Sequence, residues 1–298
     1  MDETMKAQIT EKGGFIAALD QSGGSTPKAL AQYGVPETAY SGEAAMFGEI
    51  HKMRVRIMTA PAFSGDKVIG AILFERTMDG QADGKPVPQL LWERGVVPFI
   101  KIDKGLEDEN NGVQLMKPIP GLDALLTRAA GLGVFGTKER SVVNQANEAG
   151  IAAVVGQQFE VATQVLRHGL VPIIEPEVNI KSADRADSDR LLRDEILRHL
   201  DRVPEGSEVM LKLSIPAEPG LFQPLIDHPR VLRVVALSGG FSRADACREL
   251  ARNPGMIASF SRALLSDLRH GQTDQEFDAT LGQAIDDIHA ASTDKAAA

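Results

Sequence analysis

Short apolar runs that end in polar residues alternate along this chain with longer amphipathic stretches. The runs are Phe15–Asp20, Val68–Glu75, Val96–Asp103, Val134–Arg140, Val171–Val178, Val209–Ile215, Val231–Ser238 and Ile257–Arg262. Each is too uniformly apolar for a sheet with one wet face, so each reads as a buried parallel strand. Between them, apolar residues recur at helical spacing. Met46, Ile50, Met53 and Ile57 form one stripe behind a cap at Ser41, Phe159, Ala162 and Leu166 a second, and Leu192, Ile196 and Leu200 a third. Ser242 caps a segment carrying Ala246 and Leu250, and Thr273-Asp-Gln-Glu276 has the form of a capping box before Phe277, Leu281, Ile285 and Ile288. This strand–helix alternation predicts an α/β protein, a single (β/α)8 TIM barrel. A doubly wound open sheet is the alternative. Ser22-Gly-Gly-Ser25 is only a weak version of the Gly-rich turn that fold would carry.

No Gly/Ser linker, low-complexity block or long charge run divides the chain. One barrel domain is therefore expected over residues 1–298, with an N-terminal extension before Phe15, a C-terminal helix and a short flexible tail from Ser292. The length of 298 residues suits one barrel with additions. Hydrophobic residues make up 43%, enough to form a core, which argues against a disordered chain. The 32 Lys and Arg against 41 Asp and Glu leave a net charge of −9, so nucleic acid is not an expected partner. Apolar runs such as Ile151–Val155 are far short of a membrane span. Met1-Asp-Glu-Thr-Met-Lys has no apolar stretch of the secretory kind, and Cys247 has no second cysteine to pair with. A cytoplasmic protein is the expectation. A homo-oligomer is compatible with the sequence.

Barrels of this kind carry their chemistry at the C-terminal ends of the strands, on the inward face. Strand residues two apart share a face, and polar pairs at that spacing recur late in the runs. They are Asp20 and Ser22, Glu75 and Thr77, Lys101 and Asp103, Lys138 and Arg140, Glu175 and Glu177, Lys212 and Ser214, Ser238 and Gly240, and finally Arg262 after Phe260. One such pair only marks a strand leaving the core for water. Recurrence on strand after strand points to a polar site.

Lys212 stands out, inside Val209-Met-Leu-Lys-Leu-Ser-Ile215. Burial disfavours an unpaired ammonium, and nearby cations such as Lys138 and Arg140 would disfavour it further. A neutral lysine attacks carbonyl carbon and forms a Schiff base. The alternative is a structural lysine paired with Glu175 across the barrel. Ser238-Gly239-Gly240 follows an apolar run and precedes a helix, so its backbone N–H groups could approach a phosphate, with Arg262 supplying a charged fork. The six histidines are scattered without a metal-ligand spacing, and with one cysteine no zinc site is expected; a divalent cation held by carboxylates stays open, though nothing calls for it.

These segments together resemble the class I, Schiff-base fructose-bisphosphate aldolases, in their compact bacterial form. The matching stretches are Ala17-Ala-Leu-Asp20-Gln-Ser-Gly-Gly-Ser25, Ile100-Lys-Ile-Asp-Lys-Gly105, Lys138-Glu-Arg140, Pro172-Ile-Ile-Glu175-Pro-Glu177, Leu211-Lys212, Leu237-Ser-Gly-Gly240 and Phe260-Ser-Arg-Ala-Leu264. They stand in family order from the first strand to the last. The resemblance implies a lyase of glycolysis that needs no cofactor and takes a sugar phosphate. It implies that Lys212 attacks the ketone, Glu175 shuttles protons, Asp20 takes the C4 hydroxyl proton and Lys138 assists beside Lys212. It further implies that Ser238, Gly239, Gly240 and Arg262 hold the phosphate of the dihydroxyacetone half. Ser22, Ser25, Lys101, Arg140 and Glu177 complete the substrate-binding set.

The chain departs from the better-known animal enzymes at three points. Gln21 stands where they carry Glu, and Glu139 where they carry Trp. Its last residues include no tyrosine, Tyr33 and Tyr40 being the only two. A transaldolase or deoxyribose-phosphate aldolase would share the lysine chemistry but not this motif order. A non-catalytic sugar-phosphate-binding barrel would not need Asp20, Lys138, Glu175 and Lys212 together.

Overall fold

A computed structural model describes residues 2–296. Its framework is eight parallel strands in chain order. They are β1 (Phe15–Leu19), β2 (Val68–Leu73), β3 (Val97–Lys101), β4 (Gly136–Val143), β5 (Val171–Val178), β6 (Val209–Ser214), β7 (Val231–Leu237) and β8 (Ile257–Ala258). Each pairs in parallel with the next. The ends of the sheet meet where Ala18 N donates to Phe260 O at 3.1 Å. The sheet is thus a nearly closed TIM barrel rather than the open doubly wound alternative.

The barrel interior changes character along its axis. At the N-terminal end it is apolar, filled by residues such as Ile16, Val97, Phe99, Phe135, Ile173, Met210 and Val235. The N-terminal extension forms helix α1 (Glu3–Glu11), capped by the Asp2 carboxylate, which accepts from Thr4 N at 2.9 Å and Met5 N at 3.0 Å. Met5 and Ile9 of α1 pack into that apolar layer and plug the barrel floor. The alternate residues of the strands face a ring of helices that forms the second, larger core. The helices that matter for the site are α2 (Ser25–Tyr33), α3 (Gly42–Thr59), α4 (Glu148–Arg167) and α5 (Asp274–Thr293).

Two of the three expected caps form. Thr273 and Glu276 form the capping box of α5, and Ser242 Oγ accepts from Asp245 N at 3.1 Å. Ser41 does precede α3 but makes no capping bond with its side chain. Ser292 and Thr293, placed in the tail by the sequence, complete α5 instead. Lys295 then donates to the carbonyls of Met256 at 2.6 Å and Ala291 at 2.9 Å.

Two strand ends also differ from the sequence reading. Residue Glu75 starts a helical turn, Glu75–Met78, and its carboxylate holds Lys104 at 2.9 Å and Arg128 at 2.5 Å. The last run is a strand only over Ile257–Ala258. Phe260, read as an inward partner of Arg262, packs in the outer core, while Ser259 and Ser261 line the barrel mouth.

Candidate active site

A cleft of about 870 Å³ opens at the C-terminal end of the strands. At its floor four charged side chains from four strands alternate in sign. The Lys138 ammonium lies 2.7 Å from Asp20 Oδ2 and 2.9 Å from Glu175 Oε2. The other oxygen of Glu175 lies 3.1 Å from Lys212 Nζ. All four side chains are at least nine-tenths buried. Ions taken this far out of water persist only when well paired. The alternation in sign, −, +, −, +, is what permits four of them. Lys212 is therefore not the unpaired ammonium expected from its apolar neighbours. It is both paired to Glu175 and open to the cleft.

The field of this cluster sets its protonation. Burial raises the pKa of Asp20, but the ammonium groups of Lys138, Lys212 and Lys101 outweigh it and hold the carboxyl well below its usual range. Burial likewise raises Glu175, and Lys138 and Lys212 bring it below its ordinary value. For Lys138, burial favours the neutral amine, yet Asp20, Glu175 and Asp103 hold it firmly as the cation.

Around the floor stand further polar groups. Lys101 lies opposite Lys138 in the β3–β4 register and pairs with Asp103 at 2.9 Å. It also donates to Ser22 Oγ at 2.9 Å. Ser25 ties the same turn by donating to Ser22 O at 2.8 Å. On the far side, Arg140 Nε donates to Glu177 Oε2 at 2.5 Å. Ser22, Ser25, Lys101, Arg140 and Glu177 all line the cleft.

The Ser238-Gly239-Gly240 turn forms the rim beyond β7. Gly239 and Gly240 have φ of +57° and +110°, and a Cβ on Gly239 would come within 2.9 Å of Ile180 Cγ2. The turn thus needs glycine there for both backbone and space. Ser238, Gly239 and Arg262 line the cleft. Gly240 stands just behind, where an added Cβ would be 3.8 Å from Arg262 Nη2. The catalytic and substrate-binding candidates named from the sequence thus line one barrel mouth, with Gly240 just behind it, whereas the Glu75–Thr77 pair lies outside the cleft.

A family model of class-I fructose-bisphosphate aldolase, described as glycolytic, matches residues 2–214. The chain belongs to that family. The matched span includes Asp20, Lys138, Glu175 and Lys212, whereas Ser238–Gly240 and Arg262 lie beyond it. Among solved structures, the aldolase of this family is similar in fold to the fructose-bisphosphate aldolase of Plasmodium falciparum, solved with TRAP and a small-molecule inhibitor. The TM-score is 0.79 at 20% identity, covering 99% of this chain and 94% of that one. Cgl0159 of Corynebacterium glutamicum is a more distant fold relative, with a TM-score of 0.56, 14% identity and coverage of 97% and 92%. Membership of the family makes aldol chemistry, a lyase activity, the business of this barrel.

The sequence reading missed several residues of this aldolase site. Asp103 appeared only as one half of a polar pair, yet it is buried and holds Lys101. Ser259 and Ser261 would have emerged had the last strand been phased from Ile257 rather than from Arg262. Arg54 carried no signal, because it sits among the apolar positions of α3. Its guanidinium is fully buried and donates to Thr77 Oγ1 at 2.8 Å and to the carbonyl of Gln21. Glu139 faces away from the cleft, as strand alternation requires between the inward Lys138 and Arg140. Among the described residues, no group of three or more His, Cys, Asp or Glu side chains could hold a metal ion, and no helix is long and apolar enough to cross a membrane.

Proposed function

We propose that this chain reversibly cleaves fructose 1,6-bisphosphate to dihydroxyacetone phosphate and glyceraldehyde 3-phosphate through a Schiff base on Lys212, a step of glycolysis and gluconeogenesis in the cytoplasm. The observation that carries this reading is the buried chain Asp20–Lys138–Glu175–Lys212 on the floor of an open cleft.

The amine of Lys212 must lose a proton before it can attack the ketone carbon. Glu175 Oε1, 3.1 Å away, is placed to accept it. Once Lys212 is neutral, one of the positive charges holding Glu175 down is gone, and the carboxylate becomes more basic. The same group can then protonate the carbinolamine oxygen, which leaves as water and gives the iminium. Asp20 takes the proton of the C4 hydroxyl. The C3–C4 bond breaks, its electron pair passes into the iminium to form an enamine, and the aldehyde leaves. Lys138, 2.7 Å from Asp20 and 2.9 Å from Glu175, bridges the two carboxylates and can pass the proton taken up at Asp20 on to Glu175. Glu175 then protonates the enamine at C3, and hydrolysis of the iminium returns the free lysine. The iminium is the electron sink, so no metal is called for.

Ser238, Gly239, Gly240 and Arg262 fit the phosphate beside the ketone. Ser22, Ser25, Lys101, Arg140 and Glu177 surround the hydroxyls and the second phosphate. Borohydride reduction with dihydroxyacetone phosphate tests the reading, and peptide mapping should place the added mass on Lys212. Label on Lys138 or Lys101 would overturn the assignment. Cleavage of fructose 1,6-bisphosphate should persist in excess EDTA. Activity on sedoheptulose 7-phosphate or deoxyribose 5-phosphate, with none on fructose 1,6-bisphosphate, would select another lysine aldolase.

A further inference from the structure

Arg54 is a fully buried cation of α3, and among the described residues no carboxylate lies within 4 Å of its guanidinium nitrogens. Burying an unpaired charge is strongly disfavoured, so the groups it does hold are informative. Nη1 donates to Thr77 Oγ1 at 2.8 Å. Nη2 donates to the Gln21 carbonyl, and to Gln21 Oε1 at 3.3 Å. The Gln21 amide then passes the connection on, donating through Nε2 to Ser261 Oγ at 2.6 Å. Gln21 directly follows Asp20, and Ser261 directly precedes Arg262.

We propose that Arg54 is a positioning residue that acts through Gln21 to lock the end of β1 to the end of β8, fixing where the Asp20 carboxylate stands over the substrate. The inference rests on the aldolase reading above, which gives Asp20 its role. The lock spans the barrel's weakest seam. Strand β8 has only two residues, and its backbone contact with β1 is the bond from Ala18 N to Phe260 O. No ladder pairing holds these two strands, so side chains must set their spacing. The amide of Gln21 accepts from Arg54 and donates to Ser261 at once, so one uncharged side chain spans the seam. A neutral link also leaves the charge of Arg54 without a closer partner than Asp20. Burial pushes the guanidinium down to about 10, and the charge of Asp20 works against that.

Dihydroxyacetone phosphate has no C4 hydroxyl, so trapping it on Lys212 does not draw on Asp20, whereas cleavage of the bisphosphate does. The test compares the two at saturating substrate in the wild type, Arg54→Met and Ser261→Ala. Arg54→Met should lower kcat for cleavage by about tenfold to a hundredfold, the scale of a misplaced reacting group, with borohydride trapping at Lys212 within about twofold of the wild type. Ser261→Ala leaves the bonds of Arg54 to Thr77 and Gln21 in place and so keeps the fold, but it removes the hydroxyl that Gln21 reaches on the β8 side. It should show the same split, and it decides the matter if Arg54→Met does not fold. Equal losses in trapping and cleavage, or no loss in cleavage, would show that Arg54 supports the fold alone. A wild type that is not trapped at Lys212 would overturn the aldolase reading itself and this inference with it.

Discussion

The ammonium of Lys138 sits 2.7 Å from the carboxylate of Asp20, and each is almost fully buried. Neither charge could remain there alone. The pairing lowers the pKa of Asp20 against the opposing effect of burial and raises that of Lys138 against the same effect. The site's electrostatics and its stability therefore share one set of contacts.

The signs give a first prediction. Asp20 is held below its unfolded pKa, so its contribution is present above the ordinary carboxylate range and is lost as pH falls toward the folded value. Lys138 is held above its unfolded pKa, so its contribution is present below about 10.5 and fades as pH rises further. Between these limits both act. Asp20→Asn should destabilise the fold at pH 7 by about 3–5 kcal/mol, the scale of removing one partner from a buried pair. Urea unfolding should show the difference from wild type shrinking below pH 4. A constant difference from pH 7 to pH 3 would mean that the ionisation of Asp20 is not what holds the pair.

Arg262 stands at the rim with Gly240 beside it. Arg262→Ala should weaken sugar-phosphate binding by about 1.5–3 kcal/mol, the range for a hydrogen bond to a charged group. A substrate lacking the phosphate next to the ketone should lose much less. Isothermal titration with both ligands separates the cases, and equal penalties would make Arg262 structural.

Glu175 touches both lysines, so its removal should harm the covalent step itself. Glu175→Gln should slow both trapping at Lys212 and turnover by about 10²-fold or more, as expected for a positioned acid–base group. Stopped-flow measurement of imine formation would report this directly. A variant that trapped normally but failed to turn over would move the proton transfer of the first step to another group.

The barrel was legible because buried parallel strands leave an unbroken apolar signature and their polar ends recur at spacing two. Asp20, Lys138, Glu175 and Lys212 all stand in such pairs, and the resemblance singles them out among the rest. The alternation also failed, at β8, where Phe260 and Arg262 seemed to share a face. A two-residue strand imposes too little pleat to carry the phase onward, and Arg262 reaches the cleft from the helical turn Arg262–Leu265 instead. Pairing was illegible for a different reason. The sequence shows that Lys212 has apolar neighbours along its strand, but not that Glu175 meets it from the next one. Arg54 was hidden altogether, because a buried arginine on a helix has the same spacing as a core residue.

Glu139 gives the last prediction. It is fully buried on the helix-facing side of β4, and neither carboxylate oxygen has a hydrogen-bond partner. Helix α4 packs over this strand and contributes a buried glutamine, Gln158, whose amide is likewise unpartnered. Burial raises the pKa of Glu139 well above the carboxylate range, and the charges of Asp103 and Glu175 reinforce this while Lys138 opposes it. The folded chain therefore keeps the proton to higher pH than the unfolded chain, which releases it above about 4.5. Stability must then fall as pH rises from the ordinary carboxylate range toward the raised folded value, the reverse of the Asp20 case. Glu139→Gln carries a neutral side chain of the same shape at every pH. The variant should match the wild type near pH 4 and become progressively more stable than it above pH 5. The divergence should approach about 1.4 kcal/mol per pH unit while only the unfolded state titrates. Urea unfolding of both proteins from pH 4 to pH 8 measures it. Parallel stability curves over that range would mean that Glu139 is ionised in the fold, with a counter-charge or water reaching it behind the strand.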